Sequence, residues 1–166
     1  MKVDIRPETA ADVAAIEAVT TAAFLDAPHT SHTEQFIVSG LRSAGQLAVS
    51  LVAECEGKVI GHVAVSPVVV SDGAAGWFGL GPISVLPEYQ RRGVGSRLMA
   101  EALRLLREQG AMGCVLVGEP GFYGRFGFRP EPGLTLPGVP PEYFMAVAFG
   151  SPLPRGVVSF YAAFGV

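Results

Sequence analysis

The sequence predicts an α/β fold on a mixed sheet, and three observations lead there. Two runs rich in Val and Ala, Leu47 to Cys55 and Val59 to Ser66, flank a tight Glu56-Gly57-Lys58 turn and read as an antiparallel hairpin. An apolar run from Trp77 to Leu86 precedes an amphipathic helix reaching about Gln109, and a short apolar strand, Gly113 to Val117, follows it. A strand, a helix and a strand in that order make a crossover unit, so these two strands are predicted parallel. Finally, the glycine-rich stretch Gln90-Arg91-Arg92-Gly93-Val94-Gly95-Ser96 sits at the strand-to-helix junction of that unit.

The remaining elements follow in chain order. Val3 to Arg6 alternates as a short strand and stops at Pro7. Thr9 with Asp12 has the spacing of a capping box, with Asp in place of Glu or Gln. Val13, Ile16, Thr20, Ala23 and Phe24 then fall at helical spacing, ending near Asp26-Ala27-Pro28. Ser31 with Glu34 forms a second such box, opening a helix with Ile37 and Leu41 inward and Gly45 at its end. After the hairpin, Ser71-Asp72-Gly73 marks a loop. Gly79, Gly81 and Pro82 interrupt the Trp77–Leu86 strand, which predicts a bulge or a close approach to the backbone. In the long helix Leu98, Ala102, Leu105 and Leu106 point inward, while Arg97, Glu101, Arg104 and Glu108 point out. Gly110 stops it. An aromatic turn, Phe122 to Phe128, leads to a Pro/Gly-rich loop from Pro130 to Pro141, and strands at Tyr143 to Phe149 and Val157 to Phe160 close the chain.

Composition narrows the function. The 166 residues fit one domain, 1–166, with no internal repeat or linker to divide it. A net charge of -3 is too weak to steer a polyanion, so nucleic acid is not the expected partner. Polar residues interrupt every apolar run, and no apolar signal region stands at the start, so a cytoplasmic protein without membrane spans is expected. Cys55 and Cys114 lie inside strand patterns, and no Cys/His cluster has metal spacing.

A glycine-rich turn that opens a helix aims several backbone N–H groups at one point, and the helix dipole reinforces them: a seat for phosphate. Gly93 and Gly95 carry no side chain to block it, and Arg91 and Arg92 add positive charge, at least one of them facing solvent. A nucleotide-binding loop ending in Lys-Ser/Thr is absent, and the dinucleotide fingerprint fails because Leu98 stands where its third glycine belongs. What remains is Val-x-Pro followed by Gln/Arg-x-x-Gly-x-Gly, as in Val85-Leu86-Pro87-Glu88-Tyr89-Gln90-Arg91-Arg92-Gly93-Val94-Gly95.

This stretch resembles the central motif of the GNAT superfamily of N-acetyltransferases. A second mark of that family, Tyr-x-Lys/Arg-x-Gly-Phe after the next strand, is present as Tyr123-Gly124-Arg125-Phe126-Gly127-Phe128. The resemblance implies a mostly antiparallel, twisted sheet with helices on both faces and a central parallel pair that splays apart near Gly81-Pro82. It implies that acetyl-coenzyme A is the cosubstrate, with Arg91, Arg92, Gly93, Val94, Gly95 and Ser96 at its diphosphate. Ile83, Ser84 and Val85 would offer backbone groups to the pantetheine arm. A backbone N–H of this strand, with Ser84 the first candidate, would stabilise the oxyanion when an amine attacks the thioester. Tyr123 would serve as general acid toward the departing thiolate. The implied function is acetyl transfer to a primary amine in a ternary complex; a non-catalytic acyl-coenzyme A sensor is the alternative. In the family such sheets also support homodimers.

One departure stands out: Gly118-Glu119-Pro120-Gly121 replaces the Asn-rich helix start usual before the tyrosine, so a short helix is expected there. Glu34, His29, His32 and His62 are the candidate bases for deprotonating the amine, alongside water. Cys114 has no basic neighbour in its strand and reads as a buried, inert thiol. Trp77 and Phe78 read as core or rim.

Overall fold

The computed structural model describes residues 1–27, 30 and 32–164. Its elements are β1 (Asp4–Pro7), α1 (Val13–Phe24), α2 (Glu34–Ser43), β2 (Val49–Cys55), β3 (Lys58–Pro67), β4 (Val69–Val70) and β5 (Trp77–Val85). There follow α3 (Val94–Glu108), β6 (Gly113–Val117), α4 (Pro120–Tyr123), β7 (Arg129–Pro130), β8 (Leu134–Thr135), β9 (Phe144–Ala148) and β10 (Gly156–Ser159). Local chemistry explains the boundaries. Glu56 and Gly57 both take positive φ, 51° and 76°, and Cys55 pairs with Lys58, so the hairpin closes on a two-residue turn whose twist suits the strands. Gly45 and Gly110 end α2 and α3 at φ of 69° and 83°. Asp12 accepts from the Thr9 amide at 2.7 Å, as the box predicts, and is also gripped by Arg6 at 2.8 and 3.0 Å. The Arg6 guanidinium, with the Thr9 amide, holds that carboxyl well below the usual range.

The main sheet runs β1-β2-β3-β5-β6-β9-β7, antiparallel except between β5 and β6. Helix α3 covers one face, placing Leu98, Met99, Ala102 and Leu106 against Leu51, Ala53, Val63 and Val65. Helices α1 and α2 cover the other, where Ile16 and Val38 meet Val52 and Ala64. Burying each such aliphatic chain contributes about 1.5–3 kcal/mol. Helices therefore stand on both faces, as expected. No helix among the described residues is long and apolar enough to cross a membrane.

Three details differ from the sequence pattern. Leu103 is buried on α3 while Leu105 is half-buried: the two stand at opposite margins of the buried stripe, and the Leu103 margin is the covered one. The two-residue strands β4, β7 and β8 were invisible to periodicity; β7 and β8 lie at the start of and within the Pro/Gly-rich loop. Strand β10 does not extend the main sheet. It joins β4 and β8 in a small second sheet and is parallel to β8. This sheet encloses a separate core of Val68, Val70, Leu134, Leu136 and Val158 around Trp77.

Candidate active site

The site begins where β5 changes partners. On its β3 side, Val63 pairs with Ile83 but Val65 pairs with Leu80, so Gly81 and Pro82 insert one extra residue into β5. Gly81 has φ of 144°, a conformation open to glycine alone, and the Gly81–Pro82 peptide is cis. On its other side β5 pairs with β6 only from Trp77 to Gly79, against Gly113 to Val115. Beyond that the strands part, while Leu116 and Val117 stay paired with β9. The result is a fork in the middle of the sheet, with the bulge at its base. Cys114 is wholly buried at the point of parting, its thiol donating to the Val115 carbonyl at 3.7 Å, and burial pushes that thiol far above its ordinary range. Cys114 is thus an inert plug of the fork.

The ladder fixes which amides face the gap. The Leu86 N–H donates to the Ile60 carbonyl at 2.9 Å, and hydrogen-bonded pairs alternate along an antiparallel ladder. Ser84 and His62 therefore form a hydrogen-bonded pair, which turns the Ser84 amide toward β3. The backbone groups of Ile83 and Val85 point the other way, into the fork. The Val85 carbonyl is taken by the Gln90 side-chain amide at 2.9 Å, which ties the strand end to the glycine turn.

That turn contains two successive departures from ordinary backbone: Arg91 at φ 63° and Gly93 at φ 83°, the latter capping α3. They face a cavity of about 440 Å³ bordered by Val85, Tyr89, Gly95, Ser96, Phe122 and Arg125, among others. A Cβ on Gly95 would stand 3.9 Å from Phe122 and 4.0 Å from Val85, projecting between two of the cavity's walls. The lack of a side chain there keeps the seat open. The two arginines of the motif separate. Arg91 borders the cavity, whereas Arg92 lies over the Tyr89 ring at 5.8 Å and against the Met1 sulfur. In its place Arg125 arrives from the second motif, stacked on Phe122 at 4.7 Å and bonded to the Ser96 hydroxyl at 3.3 Å.

Tyr123 closes α4, whose single turn matches the short helix expected. Its ring meets Phe122 edge-on at 4.9 Å and Phe128 at 6.4 Å, and lies so close to Gly118 that a side chain there would collide with it. Burial raises its pKa, so the phenol stays protonated. Among the described residues the hydroxyl makes no hydrogen bond. Tyr123 borders a second cavity, of about 330 Å³, together with Leu80, Gly81, Pro82 and Ile83 from the fork. Glu34 borders it too, accepting the Thr30 hydroxyl at 2.8 and 2.9 Å.

The other candidate bases are not gathered here. His62 has no exposed surface and sits under α1 and α2 beside Ser50, its Nε2 2.7 Å from the Ser50 hydroxyl. Ser50 in turn donates to Glu8, which Arg42 grips at 2.8 and 3.2 Å. Burial would raise Glu8, but the bonds from Arg42 and Ser50 outweigh it and hold the carboxyl low. Burial drives His62 down to about 4, so it is neutral and its 3.9 Å approach to Glu8 is no ion pair. His32 is exposed, with its amide bonded to Thr30. His29, and Ser31 of the second capping box, lie outside the described residues. Phe122, Tyr89 and Arg125 are the site residues the sequence reading did not assign. Arg125 had a signal, since the Tyr-x-Arg motif sets it two residues past Tyr123.

A forked sheet with a glycine turn at one end and a tyrosine at the other defines the acetyltransferase class of α/β proteins. The family model described as the acetyltransferase (GNAT) domain matches residues 4–130. The chain belongs to this family. The N-acetyltransferase YhbS of Escherichia coli K12 is 38% identical over 126 residues, which cover 75% of this chain and 72% of YhbS. A GNAT family acetyltransferase from Brucella melitensis, crystallised with acetyl-CoA, superposes with a TM-score of 0.88 at 45% identity over 98% of both chains. E. coli YhbS, crystallised with CoA, superposes equally well at 32% identity, over all of this chain and 93% of its own.

Proposed function

We propose that this chain transfers the acetyl group of acetyl-coenzyme A to a primary amine by direct attack in a ternary complex. The fork carries the reading: its unpaired amides run from a phosphate-shaped turn to a protonated tyrosine. The complexes of the B. melitensis and E. coli relatives with acetyl-CoA and CoA support the same ligand here.

Each residue then has a task. The amides of Gly93, Val94, Gly95 and Ser96 hold the diphosphate, with Arg91 and Arg125 adding charge and Arg92 none directly. Ile83 and Val85 pair with the amide-bearing pantetheine arm as a neighbouring strand would. The acetyl-coenzyme supplies the activated thioester. The Ile83 N–H, rather than that of Ser84, points where the carbonyl oxygen gains charge. The amine nitrogen forms its bond to the carbonyl carbon as the carbon–sulfur bond breaks. The amine loses its proton to water, Tyr123 gives its own to the leaving sulfur, and solvent restores the phenol. Amide, free thiol and one released proton balance the reaction.

Free-thiol release from acetyl-coenzyme A in the presence of amines tests this. Tyr123→Phe is expected to lower turnover by about a hundredfold or more while leaving coenzyme A affinity unchanged by calorimetry. Unaltered turnover removes Tyr123 from the chemistry. Coenzyme A binding without amine-dependent thiol release from any acceptor leaves a sensor instead of an enzyme.

A further inference from the structure

The described side chains around the cavity that holds Tyr123 are mostly apolar, and that constrains the acceptor. Phe24 comes from α1, Leu136 and Val139 from the loop after β8, and Phe160 and Phe164 from the end of the chain. Phe160 rests directly over Gly79, where a Cβ would overlap its ring, and its edge-to-face contact with Phe164 spans 5.0 Å. These rings therefore form one packed wall. Of the described residues around the cavity, only Tyr123 and Glu34 bear polar side chains, and only Glu34 is charged. The Thr30 hydroxyl engages both carboxylate oxygens of Glu34. Glu119, in contrast, is exposed and borders a neighbouring cavity.

We propose that the acceptor is a primary amine on a compact apolar or aromatic body, a class typified by phenethylamine and hexylamine. The proposal rests on the acetyl-transfer reading and adds the substrate class. Its ammonium docks on Glu34, and its body packs among Phe24, Leu136, Val139, Phe160 and Phe164. Among the described residues around the cavity Glu34 is the one carboxylate that can meet the cation. A polyamine would carry further charges past walls whose described residues offer them no second carboxylate, which is costly. A lysine side chain brings little apolar surface beyond its stem, and its peptide backbone would meet no polar side chain other than Tyr123 and Glu34 among the described residues of the walls. Aromatic walls suit both parts of the preferred ligand, packing against the body and attracting the cation. Glu34 is a binding residue in this scheme. It favours the ammonium and so must yield the amine to solvent before attack.

Phenethylamine, hexylamine, spermidine and a lysine-containing hexapeptide, each compared by thiol release and by calorimetry on the coenzyme A-loaded protein, test it. The apolar amines are expected to exceed spermidine and the peptide in kcat/KM by about tenfold or more, from the cost of burying an unpaired charge. Glu34→Gln should raise KM for phenethylamine about tenfold with little change in kcat, the loss of one charged hydrogen bond. The rise of kcat with pH should also move to lower pH in that variant, because the carboxylate no longer holds the proton on the amine. A merely structural Glu34 would leave that profile in place. Thr30→Val should show the same KM effect, weaker. Preference for spermidine or the peptide, or indifference to Glu34→Gln, overturns the acceptor class while acetyl transfer stands. Glu34-dependent binding of phenethylamine without thiol release from any amine does the reverse. Failure of both apolar amines to bind the loaded protein overturns the proposal.

Discussion

Along its β3 edge β5 keeps six register pairs, carrying the ladder past the bulge; along its β6 edge it keeps three and then lets go. Both edges belong to one strand in one sheet, so local propensity does not separate them. The difference is what lies above and below. The β3 edge sits between α3 and α1/α2, and its neighbours Val63, Ala64 and Val65 have no exposed surface. Its backbone groups have no access to water and must pair with β3. The β6 edge opens onto two cavities, where water or a ligand can satisfy the same groups. A bulge shifts the phase of one edge, a parting of strands frees the other, and one strand carries a closed edge and an open one. Changes on the closed edge should therefore act on stability, and changes on the open edge on binding.

The largest effect belongs to the closed edge. Leu98 is fully buried against β2 and β3, reaching the space above Gly61. Leu98→Ala should lower unfolding free energy by about 2–5 kcal/mol in a urea titration, while coenzyme A affinity of the folded protein stays within about twofold. Matching losses in both would show that the two edges are one unit.

The second test uses His62, the buried polar group of the closed edge. Ser50 spends its proton on Glu8, so His62 must donate Nε2–H to Ser50, leaving Nδ1 bare and without a partner. Its folded pKa of about 4 lies below the ordinary 6.5, so between those values the unfolded chain binds more protons. Stability is then full above about pH 6.5 and falls as pH drops toward 4, with a slope approaching about 1.4 kcal/mol per pH unit. His62→Gln should flatten that slope between pH 6.5 and 4.5; below it, Glu8 and Asp12, both held low, add their own losses as they protonate. An unchanged slope would mean that other groups govern the acid limb.

The third separates the edges by sign. Gly95 lies in the first turn of α3, where nothing in the protein itself obstructs a Cβ. Gly95→Ala should raise the melting temperature slightly, since alanine favours a helix by up to about 1 kcal/mol over glycine. Coenzyme A affinity should fall by about tenfold as the methyl enters the seat. Parallel changes in both would mean that the cavity beside Phe122 is not the ligand's.

Much of this was legible in the sequence, for identifiable reasons. The hairpin and the β5–α3–β6 unit have strong periods and clear stops at Gly57 and Gly110, and the interruption at Gly81-Pro82 located the bulge. The turn at Gly93 was legible because the backbone there needs positive φ. What stayed hidden depends on tertiary placement. Strands of two residues, such as β7 and β8, have no period to detect. The phase that turns Ile83 and Val85, but not Ser84, toward the fork depends on which carbonyl Leu86 reaches, and no side-chain pattern records it. His62 stood among the candidate bases. The parity of β3 places it on the helix-covered face instead, next to Ser50.

The smallest effect concerns three arginines, which charge alone would treat alike. Arg91 and Arg125 border the cavity at the Gly93 turn; Arg92 leans on Tyr89 and Met1. All three are exposed, so solvent screens them and single losses stay modest. Arg91→Ala and Arg125→Ala should each weaken coenzyme A binding about three- to tenfold and reduce its salt dependence, while Arg92→Ala should stay within about twofold. Dephospho-coenzyme A, which lacks the 3′-phosphate but keeps the diphosphate, sharpens the test. If Arg91 and Arg125 hold the diphosphate, their substitution should cost the same factor with either ligand. If the penalty vanishes with dephospho-coenzyme A, these arginines hold the outer phosphate, and the turn at Gly93 must bind the diphosphate with its amides alone.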